Sequence, residues 1–104
     1  MRFLVVSKSR QALPMEGAGM LIEAMKAWTK QNLANKKFEQ LWGFAGTPGG
    51  GGIANVSSLE ELDALMTDFP LGQFSDTAIY PLTDLEKSLT NASSAIQKMM
   101  PPRK

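Results

Sequence analysis

Apolar and polar residues recur along the chain in two rhythms. Residues 3–7 are rich in β-branched and aromatic side chains and predict a first strand. A polar loop runs to about Pro14, and from Glu16 the spacing turns helical. Ala18, Leu21, Ile22, Met25 and Trp28 share one face, with Glu23, Lys26 and Lys30 opposite. That helix is expected to end near Asn35, where Lys36 and Lys37 complement its negative end. Trp28, on the apolar stripe, reads as a core residue. Residues 37–45 and 53–56 predict a second and a third strand. The glycine-rich stretch 46–52 between them reads as a flexible hairpin loop. It lacks the Gly-Lys-Ser/Thr ending and following helix of a phosphate loop.

Ser58 with Glu61 three residues on forms a capping box, opening a helix whose face carries Leu59, Leu62, Leu65, Met66 and Phe69. Pro70 and Gly72 stop it. A fourth strand is predicted over 77–82, and a second capping box, Thr83 with Glu86, opens a last helix. That helix runs through Leu85, Leu89, Ala92, Ile96 and Met99 until Pro101 and Pro102 end it. The order is β-α-β-β-α-β plus a C-terminal helix and tail, residues 83–104, within one domain spanning 1–104. This is the ferredoxin-like α+β arrangement, in which helices cover one sheet face and leave the other bare.

Strand alternation sorts the hairpin residues by face. Pairing Ala45 near Gly52 sets Phe44 opposite Ile53, Trp42 opposite Asn55 and Gln40 opposite Ser57. Gln40, Trp42, Phe44, Ile53 and Asn55 then share the bare face. Leu41, Gly43, Ala45, Ala54 and Val56 lie under the helices, and Glu39 falls with them. A bare face this apolar calls for a second copy packed sheet to sheet, giving a dimeric α/β barrel. Its partly polar interior is either a small-molecule site or a plain dimer core.

Composition narrows the chemistry. The 104 residues hold 11 Lys and Arg against 10 Asp and Glu, a net charge of +1. That balance argues against nucleic acid as a partner. The basic pairs Lys36-Lys37 and Arg103-Lys104 read as solvated ends. With no cysteine, the chain offers no disulfide, thiolate nucleophile or zinc ribbon. With no histidine it has neither the commonest general base nor the commonest metal ligand. No dinucleotide fingerprint or metal-ligand cluster is present, so no cofactor is expected. The N-terminal apolar run reads as a strand rather than a signal peptide, and no run approaches membrane-spanning length. A cytoplasmic protein without membrane contact is expected.

Three stretches together carry a family resemblance: Leu41-Trp42-Gly43-Phe44-Ala45-Gly46, then Ile53-Ala54-Asn55-Val56-Ser57-Ser58-Leu59-Glu60-Glu61-Leu62, then Phe69-Pro70-Leu71 with Tyr80-Pro81-Leu82. Over roughly residues 3–82 the chain resembles the muconolactone isomerase family. The resemblance implies a ferredoxin-like fold, barrel dimers that can build into larger rings, and cofactor-independent proton transfer within an unsaturated lactone during the breakdown of aromatic compounds. The chain departs from those isomerases at Leu4 and Val6, where they carry ionisable residues.

Such a reaction needs a base beside a carbonyl, an acid to return the proton, and donors for the enolate oxygen. Tyr80, Glu16 and Asp76 are the candidate catalytic residues, the last two reaching a pocket mouth from loops. Gln40, Asn55, Trp42, Phe44 and Ile53 are the candidate substrate-binding residues, with Arg2 as a carboxylate clamp. Three functions remain open. An isomerase on a small lactone or unsaturated carboxylate predicts an ionisable group inside the barrel. A cofactor-independent oxygenase or cyclase on an aromatic substrate predicts a larger aromatic pocket without a charged base. A non-catalytic ligand-binding dimer predicts a filled barrel.

Overall fold

The structure is a computed structural model that describes residues 1–100. Its elements are β1 (Arg2–Ser9), α1 (Ala18–Ala34), β2 (Phe38–Gly43), β3 (Gly49–Asn55), α2 (Leu59–Thr67), a short 3-10 turn at Gly72–Phe74, β4 (Ser75–Pro81) and α3 (Leu85–Met99). The strands form one antiparallel sheet in the order β2-β3-β1-β4. This is the ferredoxin-like topology expected from the hydrophobic pattern. The expected helix stop at Pro101-Pro102 and the basic pair Arg103-Lys104 lie outside the described residues.

The hairpin differs from its expected form. The glycines are not a loop: Gly49 to Gly52 form most of β3, and the connection is residues 44–48. Glycine's low strand preference hid this, but close packing requires it. A β-carbon on Gly52 would sit 2.6 Å from Leu41 Cδ2 and 3.0 Å from Phe38 Cδ1. The register moves accordingly. Trp42 pairs with Gly51, not Asn55, and Gln40 pairs with Ile53, not Ser57. Phe44 falls outside the strand, its N–H bonded to the Gly49 carbonyl at 3.0 Å. Because the shift is an even number of residues, Gln40, Trp42, Ile53 and Asn55 still share the bare face.

A bulge between Phe38 and Gln40 breaks the alternation at Glu39. Glu39 was expected under the helices. It instead accepts bonds from Arg2 and Asn55, both on the bare face. The α3 cap is also displaced by one residue: Asp84, not Thr83, accepts the Lys87 N–H at 3.0 Å. Ser58 caps α2 as expected, accepting the Glu61 N–H at 3.1 Å.

The core lies between the sheet and the first two helices. Phe3, Val5, Phe38, Ala54 and Val56 meet Trp28 of α1 and Leu62 and Leu65 of α2. Each buried leucine contributes about 1.5–3 kcal/mol by leaving water. Phe38 is 1% exposed, and the Trp28 ring meets it edge-on at 5.3 Å. Burial fades toward the other end of the sheet, where β4 is exposed along almost its whole length. No residue of α3 is buried, and its stripe Leu85, Leu89, Ile96 and Met99 is open. The molecule is consequently elongated, 73 × 28 × 23 Å.

Candidate functional site

Side chains are missing from the middle of β3, and that absence shapes the space above the sheet. Phe3, Val5 and Ser7 of β1 point toward the helices and pair with Ala54, Gly52 and Gly50. Gly50 and Gly52 therefore offer bare peptide backbone on the helix side. A half-open cavity of about 510 Å³ lies over them, within the usual range for small-molecule sites. Trp28, Phe38, Phe69 and Phe74 supply aromatic walls, with Met25 and Met66 beside them. The polar side chains bordering it are the hydroxyls of Ser7, Ser9, Thr29 and Ser75 and the indoles of Trp28 and Trp42. None of the lining residues is ionisable. Ser7 is buried, and its hydroxyl lies 3.3 Å from the Thr77 hydroxyl, within hydrogen-bond distance.

The residues singled out in the sequence gather mostly elsewhere. Arg2, Gln40, Trp42, Ile53 and Asn55 lie on the bare face, with Tyr80 across Leu4 from Ile53. There Glu39 Oε2 accepts from Arg2 Nε at 2.8 Å and from Asn55 Nδ2 at 2.8 Å. The Arg2 hydrogen bond is the main cause holding the Glu39 carboxyl below its ordinary range. Desolvation opposes it, and the Asn55 hydrogen bond and the Arg2 charge add to it. Such a carboxylate is a firm anion and a weak base. The Trp42 indole lies over Gly51, where an added β-carbon would come within 3.3 Å of its Nε1.

Asp76 is not on a loop. It lies in β4 opposite Lys8, and its ion pair is with Arg10 at 3.5 Å. Glu16 sits in the turn before α1. Of the nine candidates only Trp42 also borders the cavity, so the cavity and the candidate cluster occupy opposite faces of the sheet. Trp28 is the core residue its apolar stripe indicates and also borders the cavity, whereas Gly49 to Gly52 belong to a strand rather than to the expected loop. A run of four glycines inside a hairpin of fixed length was the available signal. Among the described residues no group of three or more acidic residues is placed to hold a metal ion, and no helix is long and apolar enough to cross a membrane.

The arrangement of strands and helices is shared with solved proteins. Muconolactone isomerase superposes with a TM-score of 0.71 at 24% identity, over 81% of this chain and 90% of that one. The 5-chloro-2-hydroxyhydroquinone dehydrochlorinase of Burkholderia phenoliruptrix AC1100, solved with 2,5-dihydroxybenzoquinone, superposes with a TM-score of 0.56 at 17% identity. That match covers 84% of this chain and 98% of the other. No family model and no curated protein matches the sequence. The chain has the muconolactone isomerase fold.

Proposed function

We propose that the protein is a cofactor-independent enzyme of aromatic-compound breakdown that takes a small, flat, unsaturated ring into the cavity between sheet and helices. The observation that carries this reading is the cavity itself: aromatic walls, a glycine floor, hydroxyl donors and no charged lining. Those are the features expected of a site for an aromatic ring rather than for a carboxylate. Two solved proteins of the same fold support it, one named for isomerising muconolactone and one holding a dihydroxybenzoquinone.

The working unit in this reading is a cytoplasmic homodimer. Trp42 and Tyr80 are 41% and 53% exposed on the bare face, next to half-buried Leu4, Val6 and Ile53. Covering that surface with a second sheet removes it from water.

A second reading has an observation of its own. The Arg2–Glu39–Asn55 cluster would lie inside such a barrel, beside Gln40 and Tyr80, and could orient an acidic lactone for proton transfer. Glu16 and Asp76 would then need to reach that interior.

A thermal-shift panel of lactones, hydroxyquinones and aromatic acids, followed by ultraviolet assay of each stabilising compound without added cofactor, separates the two. Stabilisation by neutral rings that is lost in Met66→Trp and kept in Asn55→Ala supports the cavity. The reverse pattern, with acids preferred, supports the barrel interior.

A further inference from the structure

Trp28 Nε1 is the single buried side-chain nitrogen or oxygen without a hydrogen-bond partner among the described residues. The residue is 8% exposed, is packed against Phe38 and Phe69, and borders the cavity. A buried donor without an acceptor is destabilising, because it gives up its bond to water and gains none in return. The neighbouring rings offer only weak π acceptors. Packing alone would be served by phenylalanine, which fills most of the same volume and leaves no orphan donor. The N–H is thus unexplained by the fold and available to whatever enters beside it.

The rest of the wall constrains what that can be. With no lysine, arginine or acid lining the cavity, an ionised group would be desolvated there without a counter-charge. The peptide backbone of Gly50 and Gly52 beneath, and aromatic rings around, leave a slot whose shape suits a planar molecule.

On the reading that the cavity is the ligand site, we infer that it selects an uncharged planar ring bearing a carbonyl or similar acceptor oxygen, and that the Trp28 indole N–H is the donor that fixes that oxygen. The buried Ser7 hydroxyl is a further polar group within the same walls.

Three probes that share one ring test this: acetophenone, ethylbenzene and benzoate. They are titrated into the full chain labelled with nitrogen-15, with the two indole resonances assigned through Trp42→Phe. Acetophenone is expected to move the Trp28 indole proton downfield together with the Gly50 and Gly52 amides. Ethylbenzene is expected to move the glycine amides alone. Benzoate is expected to bind at least about tenfold more weakly than acetophenone, a difference of about 1.4 kcal/mol. In Trp28→Phe the preference for acetophenone over ethylbenzene should vanish. If that variant fails to fold, the wild-type spectra decide alone.

Acetophenone shifting the glycine amides while the Trp28 indole stays put, or benzoate binding as tightly as acetophenone, overturns this inference and leaves the cavity reading standing. Failure of all three probes to move the glycine amides overturns both.

Discussion

Arg2 reaches across β3 to Glu39, joining β1 to β2 through an Nε–Oε2 contact of 2.8 Å. Asn55, on the strand between them, donates to the same oxygen. The bulge at Glu39 makes this possible, because it turns the carboxylate toward the face that regular alternation would deny it.

Glu39 therefore links folding to pH. Its folded pKa lies below the ordinary 4.5, so its contribution is full above that value and is lost as pH falls through the folded one. The melting temperature of wild type should exceed that of Glu39→Gln near neutrality. The gap should close in acid, as pH falls below 4.5 and through the lower folded value. Because the side chain is partly exposed, the effect should be small and should shrink with salt. A gap that is constant with pH would show that the carboxylate has no such role.

Gly52 should tolerate no side chain. Alanine there would drive into Leu41, Phe38 and the Gln40 carbonyl oxygen. Overpacking of this kind costs roughly 1–3 kcal/mol. Urea unfolding of Gly52→Ala should show a lower midpoint with an unchanged slope. Equal stability would mean the sheet relaxes more readily than its contacts suggest.

The sequence announced some of these features and concealed others. The order of elements was legible because the helices of residues 18–34 and 59–67 carry strong apolar stripes, and Ser58 marks a start. Strand faces were legible from alternation, since an even error leaves them unchanged. The cavity was concealed because it is built from residues with nothing to show. Glycines imitate a loop, and a tryptophan on an apolar stripe reads only as the core residue it also is. Glu39 was misplaced because a bulge has no hydrophobic signature.

The two helix caps should separate body from appendage. Ser58→Ala removes the acceptor for the Glu61 N–H and should lower global stability by about 1 kcal/mol, because α2 contributes Leu62 and Leu65 to the core. Asp84→Ala removes the corresponding bond to Lys87. At concentrations low enough to separate any associated copies, it should reduce the far-ultraviolet helical signal with little change in the main unfolding midpoint, since α3 buries nothing within its own chain. Equal midpoint losses in both variants under those conditions would mean α3 is docked on its own chain.

The α3 stripe should be covered by another copy. Leu89 and Ile96 are each 59% exposed, on a helix with no neighbour to shield them. Light scattering should give a mass of at least two chains. Leu89→Glu with Ile96→Glu should shift the population to smaller species at unchanged helical content. An unaltered mass would leave the sheet face as the sole contact.

The four-glycine strand has a consequence for how the molecule comes into being. Glycine surrenders more conformational freedom on ordering than any other residue, and bare backbone carries no pattern to favour one alignment over its neighbour. The alignment of β3 is held instead at its far end, by Ile53 and Ala54, and by the Trp42 ring laid across Gly51. The glycine stretch is thus the part of the sheet whose alignment depends most on residues outside it. The floor of the cavity therefore takes its place from its neighbours rather than from side chains of its own.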